Sequence, residues 1–401
     1  MRQFLLFLGV FGLWVFPLTV QGEQFAYSYA VGDTYRVLST VNEDVYIDRV
    51  LSHQAEILNR IAVKVTGVKD GVAQHEATFQ TSERSVGVQT SRSFQWAQEY
   101  DSVFLRDALG KFTIDPKYYM PMVRNVPVFP KTDLAVNDSW SAEGEEVHDF
   151  RDSFGIPDPY RIPFTANYRY LGKQEWKGKS YPSFSVSYRI FDEPTVISGP
   201  LWPRRILGAS DQIVYWDSAL GQATAYQETF RMIFELSNGR TIEYRGTARA
   251  EIVEAKPMDR GKIAAEIAQD INRLGIQDTS VRVVKEGVVI SLENIQFLPD
   301  SSELVPSEQE KLDRIAEILS HYGDRDILVG GHTALAGTPE GRMQLSVERA
   351  RAVADYLIKK GSRSPERVFV KGYGAEKSVA DNNTEEGRKK NRRVEITLLE
   401  N

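Results

Sequence analysis

Cysteine is absent from all 401 residues. That excludes disulfides, thiolate metal sites, cysteine nucleophiles and a lipid anchored on cysteine. Histidine is scarce. His53, His75, His148, His321 and His332 are the five, and none stands at a His-x-x-x-His spacing. Each reads as a surface or core residue, and no metal centre is expected. Basic residues are not in excess: Lys and Arg number 49 against 55 Asp and Glu, a net charge of −6. Phosphate binding usually needs a basic face, so no nucleic-acid partner is expected. There is no nucleophile elbow, P-loop or Rossmann glycine pattern. The acidic groups Asp33, Glu43 and Asp44, and Glu143, Glu145 and Glu146, read as solvated faces rather than acid–base pairs. The expectation is a protein that is not an enzyme and carries no cofactor. Beyond the N-terminus no run is apolar enough to span a membrane as a helix.

The N-terminus itself is distinctive. Met1-Arg2 supplies positive charge, an apolar stretch runs from Phe4 to Phe16, and Pro17 to Gly22 follows with small Val20 and Gly22 two apart. This is the pattern of a signal peptide over 1–22, cleaved after Gly22, which would place the protein in the periplasm or beside the outer membrane of a bacterial envelope. The apolar core is short for a bilayer span and Pro17 interrupts it.

Residues 23–255 read as a β-rich domain. Ile61, Val63 and Val65 alternate with Ala62, Lys64 and Thr66 before a Lys69-Asp70-Gly71 turn, the pattern of a half-buried strand entering a hairpin. Gln227–Leu236 and Thr241–Val253 form a second hairpin, with a tight two-residue turn expected at Asn238-Gly239. Pro116, Pro121, Pro127 and Pro130, and then Pro157, Pro159 and Pro163, mark loops or edge strands. The aromatics, among them Trp96, Trp140, Tyr168, Tyr170 and Trp216, read as a β core. The competing reading is an apolar pocket for a lipid or other apolar ligand, or a docking face. An outer-membrane barrel needs an outward apolar band. Charges such as Arg36, Glu43, Asp44, Asp48 and Arg49, or Arg240, Glu243, Arg245, Arg249 and Glu251, argue instead for a soluble periplasmic domain.

The pattern changes between Glu254 and Gly261. Ile263, Ile267, Ile271 and Leu274 mark one face of a helix ended by Gly275, expected as a linker over 256–279. Residues 280–401 then alternate strand and helix. Val281–Ile290 reads as two strands about a Glu-Gly turn, and Ile295-Gln296-Phe297 precedes an Asp300–Leu304 loop. Ser307 is expected to cap a helix whose apolar face is Leu312, Ile315, Ile318 and Leu319. Strands at 327–329, 368–370 and 393–399 flank a helix over 345–358. The fold class is α+β: a mainly antiparallel β domain followed by a βαβαβ domain with a mixed sheet.

Five pieces in this segment stand in a specific order: Ile295-x-Phe297, Gly331-His332-Thr333, Leu345-Ser346-x-x-Arg349-Ala350-x-x-Val353, Gly372-Tyr373-Gly374, and Gly387-Arg388-x-x-Asn391-Arg392-Arg393-Val394-Glu395. Over residues 285–400 the chain resembles the OmpA C-terminal domain shared with Pal and MotB. The resemblance implies non-covalent binding of the stem peptide of peptidoglycan, alongside a possible outer-membrane or periplasmic protein partner. In that family an aspartate after Gly-His-Thr meets the ammonium of a diamino acid, and the arginine of the Leu-Ser-x-x-Arg-Ala helix meets its carboxylate. A guanidinium fork matches a carboxylate in two parallel hydrogen bonds. Arg349 holds that arginine position, Thr333 the motif threonine, and Arg392 a groove arginine that could equally be a structural ion-pair partner. Two positions depart. Ala334 replaces the aspartate and Arg342 replaces an asparagine, so the ammonium loses its partner and meets like charge. The resemblance therefore leaves three roles open: a wall of different peptide chemistry, weak binding through Arg349, or a protein-interaction module.

Overall fold

The computed structural model describes residues 22–86, 92–195, 200–254, 258–293, 295–297 and 304–400. The expected signal peptide over 1–22 (all but Gly22), the Ala255–Pro257 part of the domain boundary and most of the Asp300–Leu304 loop lie outside those residues.

Twelve strands come first: β1 (Thr34–Ile47), β2 (Val50–Lys69), β3 (Val72–Val86), β4 (Phe94–Asp107), β5 (Phe112–Ile114), β6 (Val123–Arg124), β7 (Ser139–His148), β8 (Tyr160–Trp176), β9 (Lys179–Asp192), β10 (Pro203–Asp217), β11 (Gln222–Leu236) and β12 (Thr241–Glu254), with a single helical turn α1 (Arg151–Phe154) between β7 and β8. β1 to β5 pair antiparallel in succession, and so do β6 to β12. The two runs join where β1 pairs with β12, Tyr35 opposite Glu254 and Ile47 opposite Ile242.

Strand periodicity sorts the faces. Along β8, Ile162, Phe164, Ala166, Tyr168 and Tyr170 are buried, while Arg161, Pro163, Thr165, Asn167 and Arg169 are exposed. The outward face of that strand is polar, not an apolar band. The inner face packs rings: Phe25 lies 5.3 Å from Phe129 and 5.4 Å from Phe184, and Trp216 lies 4.9 Å from both Tyr27 and Phe129. Of the aromatics expected to form a β core, Tyr168, Tyr170 and Trp216 lie in it and Trp140 packs against it, whereas Trp96 does not.

Pro163 lies in β8 opposite Glu145 of β7, at a strand edge: β8 meets β9 only from Asn167 onward, so one side is free of a ladder there and tolerates a missing N–H. Two local readings need correction. The Asn238-Gly239 turn is one residue longer than expected. Leu236 N–H donates to Arg240 O, only Gly239 has positive φ, and the Asn238 side chain accepts from Arg240 N–H. A three-residue loop with one left-handed glycine therefore replaces a two-residue turn that would need two such residues. Among the acidic groups, Glu146 is buried, accepting from Tyr188 Oη at 2.9 Å with His148 Nε2 also 2.9 Å away.

The second part comprises α2 (Arg260–Arg273), β13 (Thr279–Val284), β14 (Gly287–Glu293), α3 (Pro306–Ser320), β15 (Ile327–Gly331), α4 (Pro339–Lys359), β16 (Val368–Gly372), α5 (Glu385–Asn391) and β17 (Arg393–Leu399). Its sheet order is β13-β14-β17-β15-β16, with β15 and β16 parallel and the other pairs antiparallel, so the sheet is mixed. A plain βαβαβ pattern accounts for β14-α3-β15-α4-β16, and β13, α5 and β17 are additions to it. The helix expected as a linker packs Ile267 and Ile271 into the same core as Leu312, Ile315, Val329 and Val353. Ser307 is not a cap. Pro306 opens α3, Val305 holds the cap position in an extended conformation, and no side chain caps that end.

The two parts share a sheet edge. β4 pairs parallel with β16, Phe94 opposite Phe369 and Gln95 opposite Val370, which covers what would otherwise be an open edge. Phe94, Leu328, Phe369 and Leu399 form an apolar cluster there. Trp96 stands edge-on to Phe369 at 6.0 Å, the Arg60 guanidinium covers the same ring at 4.8 Å, and Arg60 also pairs with Asp326. Replacing Phe369 by Leu should cost about 1–2 kcal/mol, because the ring contacts go while most of the apolar volume stays. Thermal unfolding should show the loss, and a difference fluorescence spectrum should show Trp96 in a more polar setting; an unchanged spectrum would mean that the seam does not depend on this ring.

Candidate functional site

The sheet end of the C-terminal part sets the site. After β15 the chain turns through His332, Thr333 and Ala334. His332 N–H donates to Arg393 O at 3.0 Å and Thr333 N–H to Gly374 O at 2.8 Å, so the turn is pinned between β17 and the Gly372-Tyr373-Gly374 loop. The His332 ring is buried and stacks on Tyr373 at 4.8 Å. Burial pushes its pKa down, and nearby Arg393 adds to that, against the opposing pull of Glu395. Glu395 lies in a cationic nest, 2.7 Å from Arg393 Nε and 2.6 Å from Arg282 Nη2. Burial favours its neutral form, but hydrogen bonding and charge from His332, Arg282 and Arg393 hold its carboxyl well below the usual range.

Helix α4 brings the arginine. Thr338 caps it by accepting from Gly341 N–H at 3.1 Å, and Pro339 occupies its first position. Ser346 and Ala350 are four apart, face the sheet and are buried. Ser346 Oγ donates to Met343 O and accepts from Gly374 N–H. A Cβ on Gly331 would stand 1.9 Å from Ser346 O, so the motif glycine and serine are explained by how closely the helix rests on the strand.

Arg349 projects beside this contact. It is half-buried, its guanidinium 5.3 Å from the Phe297 ring, and it forms no ion pair among the described residues. Its Nε has no hydrogen-bond partner, and neither has the buried hydroxyl of Thr333. Burial and the charge of Arg392 both lower the Arg349 pKa, which places the two guanidinium groups within electrostatic reach. Arg392 donates to Glu385 Oε1 at 2.8 Å, so it does serve as an ion-pair partner. Arg342 folds back and donates to Gly337 O at 2.5 Å. Ala334 is buried and offers a methyl group, while the adjacent Leu335 is exposed.

Asn391 stands within the last of the five motif pieces, and the sequence alone does not show its role. It is fully buried at the end of α5; its Oδ1 accepts from Val379 and Ala380 N–H, and its Nδ2 donates to Ala380 O and Asn382 Oδ1. Asn382 Oδ1 in turn accepts from Leu335 N–H. This chain of amides fixes the loop beside Ala334. The placement of a polar residue directly before two arginines was the only signal in the sequence. Among the described residues no group of histidines and acids could hold a metal.

The model of the OmpA family matches residues 296–392. Those residues are an OmpA-family domain. Peptidoglycan-binding protein ArfA of Mycobacterium bovis is 38% identical over 104 residues, covering 26% of this chain and 32% of that protein. Outer membrane protein A of Bordetella avium is 38% identical over 100 residues, 25% of this chain and 51% of that one. The chain thus spans between a third and a half of these relatives. The solved cell wall anchor of the type VI secretion system of Pseudomonas aeruginosa is 30% identical, with 35% of this chain and 99% of that chain covered at a TM-score of 0.30. Among the described residues no helix is long and apolar enough to cross a membrane.

Proposed function

We propose that this protein associates non-covalently with peptidoglycan in the bacterial cell envelope through its OmpA-family domain, with a stem-peptide carboxylate received by Arg349. The observation that carries this reading is a half-buried arginine whose Nε lacks a hydrogen-bond partner and which forms no ion pair among the described residues. A carboxylate would satisfy that guanidinium. Arg392, held by Glu385, adds positive potential. The relatives named for peptidoglycan binding and for the outer membrane support the class of ligand and the compartment.

Recognition of the ammonium of a diamino acid is not part of this proposal. Ala334 provides no charge, and Arg342 adds one of the wrong sign. The domain is read as binding the carboxylate end alone or a wall of different peptide chemistry. The proposed division is a signal peptide over 1–22, a β-rich periplasmic part over 23–255, and the helix of 256–279 leading into the OmpA-family domain at 280–401. No catalytic role is proposed. Exposed Leu335 beside Ala334 favours one rival, in which the groove has become a protein-interaction surface.

The experiment is co-sedimentation of the full chain with purified sacculi of its own wall type and of the diaminopimelate type. Arg349→Ala should weaken binding ten- to a hundredfold, the scale of one lost charged hydrogen bond of ~1.5–3 kcal/mol. Ala334→Asp should raise affinity for the diaminopimelate wall. If wild type fails to sediment and Ala334→Asp restores binding, the groove has lost its glycopeptide ligand and the protein-interaction reading stands.

A further inference from the structure

A second site lies away from Arg349, in the cleft between the outer face of β1 to β4 and the C-terminal part. It encloses about 800 Å³, within the ~300–1,000 Å³ of small-molecule sites. Arg36 lines it from β1. That side chain is 9% exposed, yet it has neither an ion pair nor a hydrogen bond among the described residues. A largely covered guanidinium that meets only the cleft gains most from an anion placed there.

Register makes the surroundings more cationic. Arg36 stands opposite Ala62, and Arg60 stands opposite Leu38 on the same face, one diagonal step away. Asp326 is the carboxylate that acts on Arg36, but it already pairs with Arg60 and Arg367, and the charges of Arg60, Arg325 and Arg367 oppose it at Arg36. The other cleft cations are placed differently: Arg260 pairs with Glu400, Lys64 stands opposite Glu76, and Lys285 adjoins Glu286 in the chain. Glu99 and Asp101 also line the cleft, along β4. Those carboxylates repel a second negative charge. The floor is apolar, formed by Ala62, Trp96, Val103 and Leu399, and the buried indole N–H of Trp96 lacks an acceptor.

We infer that this cleft binds an amphiphile with one anionic head group on Arg36 and an acyl chain along Ala62, Trp96, Val103 and Leu399. One carboxylate or one phosphodiester fits. A polyanion does not, because Glu99 and Asp101 line the same cleft. A wholly uncharged lipid would leave Arg36 unpaired. The inference involves neither Arg349 nor peptidoglycan, so either proposal can fail without the other.

The test is equilibrium binding to the purified full chain of palmitate and of lysophosphatidylglycerol, with hexadecanol and acetate as probes lacking the charge or the chain. At least one of the two anionic lipids should bind saturably, one per chain, and each control should be about tenfold weaker or more. Arg36→Met should reduce binding of the anionic lipid by about tenfold or more and leave hexadecanol unchanged. Ala62→Trp, at an exposed position facing the cleft, should weaken palmitate and hexadecanol alike. Which lipid responds to Arg36→Met distinguishes a carboxylate from a phosphodiester head. Absence of saturable binding by wild type overturns the inference, as does binding unaltered in Ala62→Trp or in a folded Arg36→Met.

Discussion

Gly331→Ala should destabilise the OmpA-family domain by about 3 kcal/mol or more, the upper end of what overpacking costs. The added Cβ would stand 1.9 Å from Ser346 O, 2.8 Å from Ser346 C and 3.2 Å from Ala350 Cβ. The first obstacle is helix backbone, which cannot rotate away as a side chain can, so α4 must lift off β15. That movement would also break the Ser346 bond to Gly374 N–H and shift Arg349. Hydrogen exchange should therefore quicken through residues 327–331 and 345–358, and sacculus binding should fall even at temperatures where the protein remains folded. Native-like exchange in the variant would show that the helix has more room than the structure gives it.

Glu395→Ala should cost about 3–5 kcal/mol, the scale of a broken buried ion pair. Its removal leaves Arg393, 3% exposed, without its carboxylate, and His332 and Arg282 without their anionic neighbour. The pH dependence has a definite sign. The Glu395 carboxyl is held below its ordinary value in the folded protein, so its stabilisation is complete above about pH 4.5 and declines as the pH falls below that. His332 acts in the same direction. Its folded pKa lies below 6.5, so stability is lost as the pH falls beneath that value and the unfolded chain takes up protons first. Chemical denaturation of wild type and Glu395→Gln across pH 3 to 7 should show a gap that is widest near neutrality and narrows below about pH 4.5. A gap that stays constant with pH would mean that the carboxylate charge contributes little.

Much of the candidate site was legible because the family motif records contacts that local sequence must satisfy. Gly331, Ser346 and Ala350 are spaced by the fit of a helix on a strand, and Arg349 follows from its place beside them. The lack of charge at Ala334, where the resemblance sets an aspartate, was equally plain, since alanine carries none in any fold. What escaped was the support. The links from Asn391 to Asn382 and on to Leu335 span loops whose course no periodicity dictates.

The same division runs through the fold. Alternation of apolar and polar residues along β8, the helical spacing of Ile263, Ile267 and Ile271, and turn residues such as Asp70-Gly71 determined which elements form, because each is a property of neighbours along the chain. Which elements meet was decided only in three dimensions. β1 joins β12 from some two hundred residues away, and β4 lies against β16 from farther still. These non-local pairings account for the readings that failed. Glu146 belongs to an acidic run that local composition marks as solvated, yet its strand turns that residue inward to Tyr188 and His148. Arg36 sits in a strand whose charges suggested a wet outer face, and the C-terminal part covers it. A residue's burial is set by whatever packs over it, and a pattern of neighbours along the chain does not carry that information.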